Sequence, residues 1–304
     1  MTDFSAKFGA LEIINRHNFV IKKKYGQNFL IDDDVTRRIA LAAQLTKDDF
    51  VLEIGPGLGT LTRILCGEAA AAAAVEIDKK LIPILDETLA GFENVTILNE
   101  DILKTDIEGL IKEHSGGRRV KVVANLPYYI TTQTITRLLS AGSLIESITV
   151  MLQKEVAQRI AAGPGTKDYG ALSLAAAYRA ETSFEFSVPA SCFLPRPNVD
   201  SAVIRMDIRK KPPVETDDEE FMFRVIKAVF GKRRKTIVNA LAGDPGTGLL
   251  KEDVLKAADE LGIAGNVRGE TFSLETFAAF SDAALRAKRE REKAASSRVK
   301  NESK

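Results

Sequence analysis

At 304 residues, 45% of them hydrophobic and 28% charged, and with a net charge of +1, the chain has the composition of a globular protein large enough for two domains. It carries no apolar run of bilayer length and no basic start followed by an apolar block of the secretory kind, so a cytoplasmic protein without a membrane segment is expected. Its two cysteines, Cys66 and Cys192, are far apart, which excludes a disulfide framework and a thiolate zinc site; no metal is expected.

In chain order, the basic stretch Lys22, Lys23 and Lys24 leads into GQNFLID, which reads as the approach to a helix capped by Asp32. From Val51, short apolar runs alternate with helix-length segments: FVLEIG, AAVEID, VTILNED, VKVVANLPY and SITVMLQ. That alternation predicts a parallel sheet with helices on both faces. SFEFSVP and VDSAVIRMDI then follow one another as strands, joined by ASCFLPRPN, and predict an antiparallel pair at one sheet edge. RKKPPVETDDEE has the composition of a linker, and FMFRVIKAVFGKRRKTIVNAL, LKEDVLKAADELGI and SLETFAAFSDAALRA have helical periodicity. The expected organisation is an α/β domain over 1–209, a small all-helical domain over 210–288, and a disordered basic tail over 289–304. Six consecutive alanines, 69–74, favour helix where the pattern calls for a turn and a strand, and carry no functional reading.

The chemistry sits at strand ends. In VLEIGPGLGTLT, Gly55, Gly57 and Gly59 fall between a strand and a helix, where glycine permits a tight turn and close backbone approach to a ligand. Their G-x-G-x-G spacing departs from the G-x-G-x-x-G of dinucleotide sites, and Glu53 beside the loop suits a cationic or amine-bearing ligand better than a pyrophosphate. The next strand ends in Glu76, placed to accept from two ribose hydroxyls; the third in Asp101, placed to accept from an adenine amino group; the fourth in Asn-Leu-Pro-Tyr. Any one of these acids alone is more simply a helix cap or a surface charge. Four such ends gather in one crevice of an open α/β sheet. An adenosine part with a charged, non-pyrophosphate end describes S-adenosylmethionine.

YGQNFLID, EIGPGLGTLT, VEID, NLPYY and FLPRPNVDSAVIR together resemble the small-subunit ribosomal RNA adenine dimethyltransferases, the kasugamycin-resistance family, from about Lys24 through VFGKRRKTIVNAL. The resemblance implies a Rossmann-like S-adenosylmethionine enzyme that places two methyl groups on each of two adjacent adenines near the 3′ end of 16S rRNA. It implies that Asn28 and Leu30 line the methionine end of the cofactor, with Gly55, Gly57, Glu76, Asp101 and Asn125 as further cofactor positions. The chemistry of Asn-Leu-Pro-Tyr agrees. An adenine amino nitrogen is a poor nucleophile because its lone pair is delocalised into the ring. Acceptance of its hydrogens by the Asn125 side-chain oxygen and the Leu126 carbonyl, the latter fixed in direction by Pro127, turns the lone pair toward the methyl. Tyr128 offers a face for a base taken out of its stack, with Phe193 as the other side of the sandwich.

Lys22, Lys23 and Lys24, and the cluster Lys232, Arg233, Arg234 and Lys235 in or opening a helix, are expected to contact RNA phosphates. The expected partner is 16S rRNA in the small subunit, bound by a monomer. Three rivals are weighed against this. The large-subunit adenine methyltransferases of macrolide resistance share the glycine loop and a similar Asn-x-Pro-Tyr, but the leucine of NLPYY and the FLPRPNVDSAVIR stretch favour the small-subunit family. A non-catalytic assembly or transcription factor that kept the cofactor fold for binding RNA or DNA would show damage at Asn125, Tyr128 or the glycines, and none is damaged. An NAD-dependent oxidoreductase is disfavoured by the glycine spacing.

Overall fold

The structure, a computed structural model, describes residues 6–302, with side chains described for 9–22 and 24–297. It divides into two compact units: the residues up to Ala161 together with Arg179–Lys210, and Ala162–Tyr178 together with the residues from Lys211 onward.

The first unit is built on a seven-stranded sheet of β1 (Phe50–Ile54), β2 (Ala71–Val75), β3 (Val95–Leu98), β4 (Val120–Asn125), β5 (Ile145–Gln153), β6 (Ala180–Val188) and β7 (Ser201–Ile208). Their order is β3-β2-β1-β4-β5-β7-β6. The first five are parallel, and β7 runs antiparallel to both β5 and β6. β1 is buried at every residue and β4 at all but its last, as expected of strands that are covered on both faces and therefore read as continuous apolar runs. The two consecutive strands do close one edge, but the later one, β7, inserts between β5 and β6.

The alanine run lies largely in β2. Ala72, Ala73 and Ala74 are 2%, 0% and 0% exposed, and the strand is paired on both sides, by β1 and β3. Alanine's helix preference is worth less than about 1 kcal/mol per residue over most side chains, too little to outweigh two ladders of hydrogen bonds. Ala72 shares an apolar cluster with Leu61, Leu65 and Cys66 of the helix Thr60–Glu68, where a small side chain fits.

The second unit is helical: Glu219–Gly231, Ile237–Leu241, Lys251–Glu260 and Leu274–Glu302 enclose a core containing Phe221, Phe277 and Phe280. Three expectations are corrected here. Residues 162–178 leave the expected 1–209 domain, because Tyr169, Leu174 and Tyr178 are buried in this unit's core and the Tyr169 hydroxyl donates to the Phe272 carbonyl at 2.8 Å. The basic cluster is not in a helix: one helix stops at Gly231, Thr236 caps the next through a bond from the Asn239 amide, and Lys232–Lys235 form the turn between. The tail from 289 is helical to Glu302 rather than disordered. Its composition is poor in apolar residues, but it prolongs a helix already nucleated and is pinned by Arg291, which donates to the buried Asp253 at 3.0 Å.

Packing around the alanine strand sets a stability test. Ala73→Leu is expected to overfill the interior and cost about 1–3 kcal/mol, read as a lower urea midpoint. The half-buried Ala71→Leu serves as the comparison and is expected to cost less.

Candidate active site

The site begins with strand register. Ile54 pairs with Val75 and Ala124, and Val75 with Leu98, so Gly55, Glu76, Asn99 and Asn125 all lie one residue past a common line. Beyond that line the chain opens a cleft of about 1080 Å³, its open mouth included. Asn28, Leu30, Gly55, Gly57, Glu76, Asp101, Asn125, Leu126, Pro127, Tyr128 and Phe193 all line it. Every cofactor and catalytic position expected from the sequence is therefore in one place.

The glycine loop is held by the Gly55 amide donating to the Val75 carbonyl at 2.9 Å. Gly57 has φ +60°, and a Cβ there would stand 3.2 Å from the Phe29 ring; Gly59, at φ +81°, caps the helix Thr60–Glu68. No L side chain takes such a backbone without strain. The loop amide of Gly57 and that of Asp78 donate to the two Glu76 carboxylate oxygens at 3.3 and 2.7 Å. Glu76 is 5% exposed, and burial pushes its carboxyl up to about 7. Glu53 is more extreme: at 1% exposure, burial first and the Glu76 charge second push it up to about 8, and its Oε2 accepts no hydrogen bond among the described residues. Asp101 accepts the Leu103 amide at 3.0 Å through Oδ1.

A segment from before the sheet closes the cleft. The two-residue strand Phe29–Leu30 pairs antiparallel with Phe193–Leu194, Leu30 opposite Phe193. Asn28 anchors itself to the Gly26 carbonyl at 3.1 Å, and its own carbonyl accepts from Asn125 Nδ2 at 3.3 Å. Asp32 caps the next helix by accepting the Val35 amide. The Leu126 amide donates to the Met151 carbonyl at 3.0 Å, fixing the Asn125–Leu126 peptide. The Tyr128 hydroxyl is 2.9 Å from Ser201 Oγ on β7, which holds the ring by its tip. Phe193 is 3% exposed in an apolar cluster with Leu30, Val35 and Val203, so its ring backs the cleft rather than standing open at its mouth.

Sequence reasoning missed three residues. Tyr129, the second tyrosine of NLPYY, lines the cleft while 54% exposed, its ring 3.1 Å from where a Gly26 Cβ would be. Gln27 and Asp78 bond to each other beside the cleft. The signal for both lay inside quoted motifs, GQN and VEID.

The basic residues divide. Lys22 is bound to the buried Asp78. Lys24 is exposed, its ammonium 4.6 Å from the Tyr25 ring centre, and the side chain of Lys23 lies outside the described residues. Lys232 pairs with Asp244 at 3.4 Å, and Arg233 with Glu270 at 3.0 Å. Arg234 and Lys235 are exposed and form no ion pair among the described residues.

The donor set fits S-adenosylmethionine: a buried carboxyl with one oxygen that accepts no hydrogen bond among the described residues, for the cationic end, a second carboxylate fixed by two amides for a diol, and a glycine loop that a Cβ would obstruct. Comparison with known proteins points the same way. The family model of ribosomal RNA adenine dimethylase matches residues 18–282. A ribosomal RNA small subunit methyltransferase A of Lachnoclostridium phytofermentans is 53% identical over 90% of this chain and 94% of that protein. One of the same name from Geobacillus sp. is 47% identical over 90% and 94%. Among solved structures, the 23S rRNA methyltransferase ErmE is 29% identical with a TM-score of 0.63, covering 84% of this chain and 99% of that one. A dimethyladenosine transferase from Plasmodium falciparum, at 23% identity and TM-score 0.67 over 81% of this chain and 94% of that one, shares the fold.

The raised carboxyls give a pH signature. Ionised Glu76 is the better acceptor for a ribose diol, so affinity for S-adenosylmethionine is expected to rise about tenfold from about pH 6 to about pH 8, and Glu76→Gln to flatten that rise. Calorimetry across pH reads both. In the absence of ligand the sign is opposite: a carboxyl whose folded value is raised contributes stability that is fully present below its unfolded value and is lost as pH rises through about 7 and 8.

Proposed function

The chain belongs to the ribosomal RNA adenine dimethylase family, and from that membership we propose how the cleft carries out its reaction. The protein is an S-adenosylmethionine-dependent rRNA (adenine-N6,N6)-dimethyltransferase of the small ribosomal subunit. The observation that carries the residue assignment is the bond from Asn125 Nδ2 to the Asn28 carbonyl, which uses the donor end of the amide and leaves Oδ1 to accept.

The cofactor, when bound, supplies an electrophilic methyl group. Asn28 and Leu30 hold its methionine end, the Gly55–Gly57 backbone its approach, Glu76 its ribose and Asp101 its adenine. Asn125 Oδ1 and the Leu126 carbonyl accept the two hydrogens of the target amino group, drawing the nitrogen from planar toward tetrahedral and aiming its lone pair. Pro127 biases Leu126 away from the helical region and so holds that carbonyl in place. Tyr128, anchored by Ser201, is the stacking face for the extruded base, and Phe193 backs it. No strong base is needed, because the methylated ammonium is acidic enough to give its proton to water.

The targets are two adjacent adenines near the 3′ end of 16S rRNA. Arg234 and Lys235 in the turn after Gly231, with Lys232, Arg233, Lys23 and Lys24, contact RNA phosphates. Action as a monomer belongs to the same reading, and ribosomal RNA as substrate supports a cytoplasmic address. Among the described residues no helix is long and apolar enough to cross a membrane.

Two outcomes are expected. Asn125→Ala lowers methyl transfer to under-methylated small subunits by about 10²–10³ while S-adenosylmethionine affinity stays within a few fold; near-normal turnover removes Asn125 from the mechanism. Replacing Arg234 and Lys235 together by alanine weakens RNA binding and lowers its salt slope by about two, with cofactor affinity intact; an unchanged slope assigns RNA binding to other residues.

A further inference from the structure

Lys22 does not behave as a surface cation. Its Nζ donates to Asp78 Oδ1 at 2.6 Å, and Asp78 is 1% exposed. The other Asp78 oxygen accepts from Gln27 Nε2 at 3.1 Å, while the Lys22 amide donates to Gln27 Oε1 at 2.7 Å. These bonds form a closed ring of Lys22, Gln27 and Asp78. It ties the segment that carries Asn28 and Leu30 to the turn after β2. Asp78 also accepts the Lys80 amide at 3.1 Å, and its own amide donates to Glu76 Oε1 at 2.7 Å. The hydrogen bonds outweigh the opposing effect of burial and hold the Asp78 carboxyl below the usual carboxylate range, so the pair is ionic near neutrality.

With Asp78 buried and Lys22 half-buried, the pair is a poor source of net stability, because desolvation cancels much of the attraction. Its better use is to fix one geometry among several. Here the geometry concerns the two ends of one ligand. Residues 22–30 touch three of the strand-end groups: Asp78 through Lys22 and Gln27, the glycine loop through Phe29 against Gly57, and Asn125 through the Asn28 carbonyl. Phe29 is held by an apolar cluster with Phe19, Leu58, Leu81 and Ile84, which is greasy and does not specify register along the segment. The ion pair does specify it.

We propose that Lys22 and Asp78 are positioning residues: their ion pair sets the register of residues 22–30 against the Glu76 carboxylate, holding the methionine-binding positions Asn28 and Leu30 at the correct distance from the ribose-binding one. The inference rests on the reading of the cleft as an S-adenosylmethionine site. It removes Lys22 from the set of RNA contacts, since pulling it to a phosphate leaves Asp78 buried and unpaired.

The test separates the two ends of the ligand. Dissociation constants for S-adenosylmethionine and for 5′-methylthioadenosine, which has the adenosine part but no amino acid, are measured by calorimetry on the full-length wild type, Lys22→Met, Lys22→Arg and the double variant Lys22→Met/Asp78→Asn. Wild-type binding of S-adenosylmethionine first tests the cleft assignment itself; with that established, the variants test only the clamp. Lys22→Met is expected to weaken S-adenosylmethionine about tenfold and methylthioadenosine less than about twofold, because preorganisation is lost at one end only. Lys22→Arg is expected to recover most of the loss, and the double variant to be no worse than about the single one. The proposal is overturned if S-adenosylmethionine affinity is unchanged, if both ligands weaken by the same factor, or if Lys22→Met instead lowers RNA affinity with a reduced salt slope.

Discussion

The constraint on which the site depends is that parallel strands stop together. Ile54, Val75, Leu98 and Ala124 form one line of paired residues across the sheet; three of these strands end on it and the fourth one residue later, at Asn125. Hydrogen bonding sets that line, since a one-residue slip in any ladder would send its buried residues to the opposite face. Just past it the Gly55, Glu76 and Leu126 amides still bond to the neighbouring strands, at Val75, Leu98 and Met151, and beyond them backbone groups become available: the Gly57 and Asp78 amides fix Glu76. A pocket lined by backbone as much as by side chains follows from topology before any catalytic residue is chosen.

Within that frame the chemistry asks little of acid–base groups and much of orientation. A sulfonium methyl is already activated, so the protein's task is to expose a lone pair that resonance hides. Acceptors aimed at two N–H bonds do this, and they work only if they cannot turn away. Asn125 is held through its donor end, Leu126 through its amide and the following proline, and Tyr128 through Ser201. On the proposed reading, each of these groups is thus fixed by an atom that the reaction does not use. The two buried carboxyls are the exception to this economy: without ligand they are held well above ordinary values by burial, which favours a ligand that supplies positive charge and donors.

Much of this was legible because it is local. Strands buried on both faces announce themselves as apolar runs, and residues at their ends need no tertiary knowledge to be placed in one crevice. What escaped was decided at a distance. The alanines 69–74 are helix formers, overruled in β2 by two neighbouring strands that no short window reveals. Tyr169 and Tyr178 belong to a core supplied by residues such as Phe272, about a hundred positions later. The tail looked disordered because composition records missing apolar residues but not that a helix is already running when it begins. Phe193 was expected as the other side of the base sandwich; it lines the cleft, and its pairing with Leu30, which no local pattern reveals, holds it at 3% exposure.

The basic residues show the same limit most sharply, and they show why a charge cluster is not yet a binding site. In sequence, Lys22 and Arg233 are equivalent: members of short cationic runs. In the structure they differ by the burial of their partners. Arg233 faces Glu270 near the surface, where an ion pair is worth little and a phosphate can take its place at small cost. Lys22 faces an aspartate at 1% exposure, where leaving would strand a charge in the protein interior. The first can exchange partners and so is available for recognition; the second cannot, which fits the positioning role proposed for it. Exposed Arg234 and Lys235 have no described ion pair to give up at all. The cost of releasing a cation from its present partner, rather than its position in a basic run, therefore sorts which of these residues RNA can recruit.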